Sequence, residues 1–495
     1  MSDLYYQMSI NVLPDDVLIE MFHFYLDLFG RRSRRSTGWR GLVQVCQRWR
    51  NLVFGSPLHL DIKLHCSART PLREMLNVWP ALPISIEEHL CSRLSQVEHE
   101  TVLAILELHQ RVCEIDLTDI PNELLEQVGQ TMQKPFPALT RLLLESNSPS
   151  PPELLNSFLA GSAPRLRALE LKHIPHPALP NLLRSTTDLR YLGLYCNSRS
   201  AYIPSQVMVT CLSGLTRLET IVIKFYISRF RHSESSPSPP STRSVLPALT
   251  YLRFQGRCDY LEDLVASIDA PLLKTMSLSF FKRDAYDTPQ LFKFISCTNL
   301  LWSPRRVDAV FYDHTIKVKV YLRTELAYDS AVDLEVLYSD WRLSPLAQLC
   351  HSSLSSLSTL ERLDIRRGKF DTSGLPYNIE DAEWLVFLRR FASVKDLYIT
   401  KSLGLPVMSA LAAPAGDGMT VLPALQNIFL DGLQPSGSLR EVVDQLIAAR
   451  QLSGHSISVH HWNRWDGMLQ EMDRRVQDRN QQQHETSSQS TALGQ

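Results

Sequence analysis

One spacing of apolar residues recurs from residue 109 onwards and limits what this chain can fold into. An apolar residue is followed by others three, six and eight positions later; two copies, ending at Leu117 and Leu194, start with a polar residue. The copies lie 23 to 34 residues apart, except for one gap of 87 residues before Ile365. Because the last two apolar positions alternate with one other residue, each copy predicts a short strand, and the following segment returns as a helix. The ten copies end at Leu117, Leu144, Leu171, Leu194, Ile223, Phe254, Leu278, Ile365, Ile399 and Leu430.

The pattern resembles an irregular leucine-rich repeat array, and leucine supplies 78 of the 495 residues. The resemblance implies an α/β solenoid over residues 109–462, with parallel strands on the concave side and helices on the convex side. An ordinary stack of α/β units without a formal repeat remains the alternative. Apolar spacing predicts helices at 153–160, 261–267, 382–391 and 439–452.

The long gap predicts an enlarged repeat at 281–357. It contains two weaker copies, Val307 to Tyr312 and Ala331 to Val336, and between them the alternating run Thr315 to Leu322. That alternation predicts an exposed strand. A last strand is expected at Ile457 to Val459.

Residues 10–60 predict a short all-helical module. Leu13-Pro14 begins an apolar-spaced segment, and Asp15 and Asp16 lie in its first turn, where acidic side chains complement the helix dipole. A second segment, Leu42 to Val53, ends before Ser56-Pro57. The basic loop 30–38 separates the two predicted helices.

Leu13-Pro14, the first apolar helix and the Val45-Cys46-x-x-Trp49 core together resemble the F-box over residues 12–60. The sequence from Ser56 to Ile86 resembles the corresponding segment of the F-box proteins that are abundant in mushroom-forming fungi. The resemblance implies docking on the small adaptor subunit of SCF-type cullin-RING ubiquitin ligases, and through it on cullin. Loop 30–38 is longer than in a typical F-box, which leaves the packing of the two helices open. The implied adaptor contacts are Leu13, Pro14, Val17, Leu18, Met21, Phe22, Leu42, Val45, Cys46 and Trp49.

Three further segments complete the predicted organisation. Residues 61–108 are expected to be connecting strands and a helix that lead into the array. Residues 233–244, rich in Ser and Pro, predict a loop insertion. Residues 463–495 predict a polar helix followed by a disordered tail.

Composition excludes several classes of function. A net charge of -1 gives no field for non-specific binding to nucleic acid or membranes. Nine cysteines form no CxxC pair, so neither a RING nor a zinc ribbon is predicted, and ubiquitin transfer would need partners. The sequence shows no leader, no long apolar run and no glycosylation acceptor, which predicts a cytoplasmic or nuclear protein.

No motif for phosphate, metal or acyl chemistry occurs, so no catalytic residue, cofactor or metal is predicted. His455, His460 and His461 could in principle ligate a metal, but we interpret them as surface residues because no Cys or acidic residue accompanies them at ligand spacing. A hydrolase with an unrecognised site is a distant third interpretation.

Target binding is expected on strand residues that alternate away from the core. Their charges are mixed, with aromatic residues between them, which suits protein recognition. The sequence thus predicts a non-catalytic substrate receptor for an unknown protein target. The alternative is an interaction scaffold in which the first helices cap the array and bury Leu13, Pro14 and Trp49; a docking module would leave these three partly exposed. The candidate target contacts are Tyr191, Tyr195, Tyr251, Arg253, Tyr398 and Phe429.

Overall fold

Strands and helices alternate along most of the chain in the computed structural model. Contacts divide the chain into two units, Met1–Ser236 with Ser244–Leu249 and Pro237–Arg243 with Thr250–Gln495. The predicted tail 463–495, most of the basic loop 30–38 and most of the insertion 233–244 lie outside the described residues. The structure describes residues 12–30, 38–57, 59–79, 81–90, 95–197, 202–226, 243–281, 288–298, 304–312, 315–322, 332–337, 343, 347, 360–368, 379–413, 420–431 and 437–462.

The first unit begins with helices and continues as a parallel sheet in the order β1-β2-β3-β4-β5-β6-β7. Its helices are α1 (Asp15–Gly30), α2 (Trp39–Val45), α3 (Gln47–Gly55), α4 (Leu72–Val78), α5 (Gln96–Leu106), α6 (Asn122–Thr131), α7 (Leu179–Ser185) and α8 (Ser205–Leu212). Its strands are β1 (Leu64–Cys66), β2 (Ile84–His89), β3 (Val112–Thr118), β4 (Arg141–Glu145), β5 (Ala168–Lys172), β6 (Tyr191–Cys196), β7 (Thr220–Phe225) and β8 (Ser244–Val245).

The repeat spacing places equivalent apolar residues side by side in this sheet. Leu117, Leu144, Leu171, Leu194 and Ile223 are successive register partners from β3 to β7, and all five are buried. Each strand therefore extends one apolar row, which confirms the strands predicted from the spacing. The parallel sheet also begins before residue 109, because β1 pairs in parallel with β2, and β2 pairs in parallel with β3.

The main strands of the second unit lie in the order β9-β11-β14-β13-β12-β15-β16-β17-β18. Its helices are α9 (Cys258–Ala266), α10 (Pro289–Ser296), α11 (Asp381–Leu388), α12 (Lys401–Ala412) and α13 (Ser438–Leu452). Its strands are β9 (Tyr251–Gly256), β10 (Ile268–Asp269), β11 (Thr275–Phe281), β12 (Pro304–Tyr312), β13 (Thr315–Leu322), β14 (Val332–Leu337), β15 (Arg362–Arg367), β16 (Asp396–Ile399), β17 (Asn427–Asp431) and β18 (Ser458–Trp462).

The expectation of parallel strands throughout is wrong in the enlarged repeat, which contains an antiparallel strand. Strand β13 pairs antiparallel with both β12 and β14, while β12 pairs in parallel with β15 and β14 in parallel with β11. The prediction of an exposed strand at Thr315 to Leu322 is wrong for one face, because Ile316, Val318 and Val320 are fully buried. Two neighbouring strands cover the backbone of β13 on both sides, so its alternation marks a central strand with one apolar face.

Two of the helices predicted from the sequence differ from those in the structure. The segment Leu42 to Val53 is broken at Cys46, which is extended (φ -158°, ψ 170°) and accepts a hydrogen bond from the Trp49 N–H on Sγ, at 3.5 Å. The thiol thus caps α3, as serine does at many helix starts. Residues 153–160 form no α-helix: only a 3₁₀ turn, Phe158–Gly161, is present, with positive φ at Leu159 and Ala160.

None of the described helices is long and apolar enough to cross a lipid bilayer.

Candidate functional site

The start of α1 is fixed by one side chain of α3. The Arg48 guanidinium donates to Asp15 Oδ1 at 2.6 Å and 2.9 Å, and to the Leu13 carbonyl at 2.6 Å. Because Arg48 holds both sides of Pro14, the Leu13-Pro14 turn has a defined position against α3. Pro14 is exposed and Leu13 is half-buried.

The predicted adaptor contacts fall into two groups. Leu18, Phe22 and Leu42 are buried inside the helical module, so their side chains hold the helices together. The remaining seven are at least partly exposed: Leu13, Pro14, Val17, Met21, Val45, Cys46 and Trp49.

Helix α1 carries a second apolar face beside its buried one. Its buried residues Leu18, Phe22 and Leu26 are spaced by four, which places them on one stripe of the helix. Val17, Met21, Phe24 and Leu28 are 40%, 45%, 66% and 57% exposed. We call these four residues the α1 apolar face.

A groove of about 680 Å³ adjoins this face, between α1 and the turn that follows α3. At its rim the His59 imidazole lies 3.3 Å from the Glu20 carboxylate. The groove therefore joins apolar and acidic surface at one end of the module. Its lining residues are Asp16, Val17, Ile19, Glu20, Ser56 and His59.

Helix α2 packs against aromatic residues of α3 and of the segment that follows α4. Trp39 of α2 is buried, and its ring lies 5.0 Å from that of Trp79, which follows α4. Phe54 of α3 lies against both rings, and the Arg40 guanidinium lies 5.7 Å from each tryptophan ring. This aromatic cluster buries Trp39 of α2, whereas α1 keeps its apolar face exposed.

In the first unit, Tyr191 and Tyr195 lie half-buried on the outward side of β6. The ring of Tyr195 has the Lys172 ammonium at 5.6 Å and the Lys224 ammonium at 5.1 Å. Lys172 also pairs with Glu145 at 3.1 Å and with Glu170 at 3.4 Å. Burial, the neighbouring Tyr191 and then the Glu170 carboxylate raise the pKa of Tyr195, and its hydroxyl is hydrogen-bonded to that of Tyr191.

The second unit contains a network of charges that links β12 to β15. Asp308 and Asp364 are register partners, and they are 3% and 0% exposed although they alternate with core residues. Arg306 binds Asp308 through two hydrogen bonds of 2.6 and 3.0 Å, and Arg362 binds Asp364 through two of 2.8 and 3.2 Å. Arg366 Nη2 bridges the two carboxylates, at 2.6 Å from Asp308 and 2.8 Å from Asp364. We call these five residues the Arg–Asp cluster.

Burial, and then the nearby Asp364 carboxylate, raise the pKa of Asp308 to about 7. The hydrogen bonds and charge of Arg306, and the charge of Arg362, act in the opposite direction and lower the pKa of Asp308.

A stack of aromatic rings continues from this cluster across β16 to β18. The Tyr398 and Phe429 rings lie 4.2 Å apart and nearly parallel, at 7°, and the His460 ring stacks on Phe429 at 5.1 Å. The Arg362 guanidinium lies 3.9 Å from the Tyr398 ring centre, and Trp462 meets Tyr398 edge-on at 5.1 Å. We call Tyr398, Phe429, His460 and Trp462 the aromatic ladder.

Four of the six predicted target contacts thus fall into two groups, one on each unit. Tyr251 and Arg253 lie together on β9, outside both groups. The sequence-based prediction missed Arg306, Asp308, Arg362, Asp364 and Arg366 as one cluster. The signal was present, because Arg306-Val307-Asp308 and Arg362-Leu363-Asp364 repeat the same pattern on two strands.

Within the described residues, no group of three or more metal-ligating side chains comes together. The thiols of Cys66, Cys113 and Cys196 are buried, which raises the pKa of each to about 12. Burial and a raised pKa both characterise packed thiols rather than reactive ones.

Comparison with known proteins gives little. No protein-family model matches the chain, and no curated protein matches its sequence. Among solved structures, the leucine-rich repeat-containing protein LegL7 from Legionella pneumophila is similar over 78% of this chain and 97% of its own. The sequence identity is 13% and the TM-score is 0.27. At this TM-score the similarity carries no argument, and the fold assignment rests on the strands and helices described above.

Proposed function

We propose that this chain is a non-catalytic substrate-receptor subunit of an SCF-type cullin-RING ubiquitin ligase. The helical module would dock on the adaptor, and through it on cullin, while the outward strand faces bind a protein target. The receptor would act by proximity, raising the effective concentration of a target lysine near an activated thioester on another chain.

The observation that carries the proposal is the exposed apolar face of α1. Four large apolar side chains in one helix remain exposed while a neighbouring stripe is buried, and such surfaces commonly mark interaction sites. The face continues into the Leu13-Pro14 turn, which Arg48 holds in place, and Trp49 is partly exposed. A cap would have buried Leu13, Pro14 and Trp49.

The second candidate is a scaffold without a link to ubiquitin transfer, in which the helices serve as a cap. One observation favours it: Trp39, Phe54 and Trp79 pack the module onto its own unit. The two roles use different sides of the module, so a variant on α1 separates them.

Co-purification of the full chain with the adaptor tests the proposal. Val17→Glu with Met21→Glu places two charges on the α1 apolar face without touching a buried residue. Val97→Glu is the matched control, because Val97 is an exposed apolar residue on α5 of the same unit. Circular dichroism confirms that each variant is folded.

We expect the adaptor to be retained by the wild-type chain and by Val97→Glu, and lost from the double variant. Equal retention of the adaptor by all three chains would show that the α1 apolar face is not part of the docking surface. Absence of adaptor binding by the folded wild-type chain would favour the scaffold.

A further inference from the structure

The α1 apolar face has the spacing of a helix–helix seam. Val17, Met21, Phe24 and Leu28 follow one another at intervals of four, three and four residues. This is the a/d alternation of a heptad repeat, which helices use when they pack side by side. At a rise of about 1.5 Å per residue the stripe is about 16 Å long, which is enough to pack along a second helix.

Carboxylates border this seam along one edge. When the heptad is counted with Met21 at a and Phe24 at d, Glu20 and Asp27 both fall at g. The Glu20 side chain is 72% exposed, and Asp27 is half-buried. In packed helix pairs, charged side chains at e and g pair with those of the other helix and set partner choice.

The helix itself supplies no lysine or arginine to balance these carboxylates. Residues Asp15–Gly30 include four acidic side chains and no lysine or arginine. The Arg48 guanidinium binds Asp15, which falls at b, on the side of α1 away from the seam. The e positions are Leu18, which is buried, and Tyr25. The seam thus has one acidic edge and one uncharged edge.

The groove beside α1 adds another carboxylate to the acidic edge. Asp16 and Glu20 line it together with Val17 and Ile19, and none of the described residues that line it is a lysine or arginine. The His59 imidazole lies 3.3 Å from the Glu20 carboxylate. The methylene chain of a partner's lysine or arginine fits against Val17 and Ile19, which brings its charge to the two carboxylates.

A second copy of α1 is a poorer fit for the seam. In an antiparallel pair the g positions face each other, so Glu20 and Asp27 would meet carboxylates of the other copy. In a parallel pair they would meet the e positions, where Leu18 and Tyr25 carry no positive charge. Like charges across an interface disfavour association. The occupant therefore has to bring the cations.

We propose that α1 binds an amphipathic helix of a partner protein whose apolar stripe is bordered by lysine or arginine. The apolar residues of that helix would pack on the α1 apolar face, and its basic side chains would pair with Glu20, Asp27 and the carboxylates of the groove. This inference rests on the proposed docking role of α1, and it specifies the chemistry of the partner.

The test measures binding of the full chain to two synthetic helical peptides that have leucine at a and d. One peptide has lysine at every e and g position and the other has glutamate, so like charges keep each peptide from pairing with itself. The decisive variant is Glu20→Lys, which reverses the charge of an exposed side chain. The matched control is Glu126→Lys, because Glu126 is an exposed glutamate of α6 in the same unit. Circular dichroism confirms that each variant is folded.

We expect the wild-type chain and Glu126→Lys to bind the lysine peptide about fivefold more tightly than the glutamate peptide, the effect of about two exposed ion pairs. In Glu20→Lys this preference should disappear. It should also shrink in about 1 M salt, which screens charges beyond about 3 Å. Equal binding of the two peptides by the wild-type chain would overturn the proposal, as would a lysine preference that survives in Glu20→Lys or is lost equally in Glu126→Lys.

A second variant shows whether the peptides bind on α1. Phe24→Ser removes an exposed side chain of the seam, so it should weaken binding of both peptides and leave the lysine preference in place. Unchanged binding by this variant would contradict the seam. A wild-type dimer that Phe24→Ser separates into monomers in sedimentation would assign the seam to a second copy and overturn the proposal.

The basic loop 30–38 is the other rival occupant of the acidic edge. Replacing its arginines with glutamine removes this competitor, and a lysine preference that appears only in that variant would assign the edge to the loop of the chain itself. The replaced residues are Arg31, Arg32, Arg34 and Arg35.

Adaptor co-purification with Glu20→Lys separates this inference from the proposed function. A lysine preference in a chain that binds no adaptor would keep the inference and reject the ubiquitin-ligase role. Adaptor binding that neither Glu20→Lys nor high salt weakens would overturn the inference and keep docking by the α1 apolar face.

Discussion

The rings of Phe22 and Trp49 lie 4.6 Å apart at an interplanar angle of 57°. Phe22 belongs to α1 and is buried, whereas Trp49 belongs to α3 and is half-buried. This contact joins the two helices that the basic loop separates in sequence. The buried Phe22 directly follows the exposed Met21 in α1 and precedes the exposed Phe24 by two residues.

Replacing the buried anchor should destabilise the module, and replacing its exposed neighbour should not. Phe22→Ala leaves a cavity between α1 and α3 and should lower the free energy of unfolding by about 3 to 5 kcal/mol. Phe24→Ala, in the same helix, removes a side chain that is 66% exposed and should change it by less than about 0.5 kcal/mol. Urea unfolding followed by circular dichroism measures both, and equal effects would contradict the assignment of the buried face.

Gly368 has no room for a side chain. A Cβ at this position would lie 2.2 Å from Cδ1 of Tyr312, while the Gly368 N–H donates to the Phe311 carbonyl at 2.7 Å and so fixes the backbone. Gly368→Ala should therefore displace the Tyr312 ring and destabilise the second unit by about 1 to 3 kcal/mol.

Gly41 provides the control for this substitution. It lies in α2 with nothing within 4 Å of its Cβ position, so Gly41→Ala should stabilise the chain by about 0.5 to 1 kcal/mol. Chemical unfolding measures both variants. In a Tyr312→Ala background, Gly368→Ala should lower the free energy of unfolding much less. An equally large loss in that background would show that the clash is not with the Tyr312 ring.

His176 should make the stability of the first unit depend on pH. It is buried, and burial lowers the pKa of its imidazole from 6.5 to about 4. The unfolded chain therefore binds a proton between these values that the folded chain does not. The contribution of this group is complete above pH 6.5 and is lost as pH falls toward 4, at up to about 1.4 kcal/mol per pH unit, or about 3 kcal/mol in total.

His176→Asn tests this dependence. Nδ1 of His176 is close to the Ile174 carbonyl, which can only accept, and the asparagine amide supplies an N–H donor in a similar place. Unfolding at pH 7 and pH 4.5 should show a smaller difference for the variant than for the wild-type chain. An unchanged difference would assign the pH dependence to other groups.

The strands could be predicted because the repeat spacing reports burial directly. Leu142 and Leu144 alternate on one side of β4, and the same alternation recurs in each later copy, so the core rows follow from the sequence. Local spacing says nothing about chain reversal, and for this reason the antiparallel β13 was mistaken for an exposed strand. The break at Cys46 was missed because a thiol cap resembles an ordinary apolar helix position.

Only part of each candidate site could be predicted from the sequence. Tyr398 and Phe429 were recognised as outward residues, but their stacking depends on the register between β16 and β17. The link from Arg366 to Asp308 spans 58 residues and a reversed strand, so no sequence pattern could bring the two together. Periodicity predicts which way a side chain faces, whereas its neighbours come from strand order.

Hydrogen exchange of the full chain with and without the adaptor measures whether the helical module docks. We expect slower exchange with the adaptor in residues 12–30, which carry the Leu13-Pro14 turn and the α1 apolar face, and unchanged exchange in β12 to β18. In Val17→Glu with Met21→Glu this protection should disappear, whereas it should persist in Val97→Glu. Adaptor-dependent protection that appears only in the strands, or no change in residues 12–30, would contradict docking by the helical module.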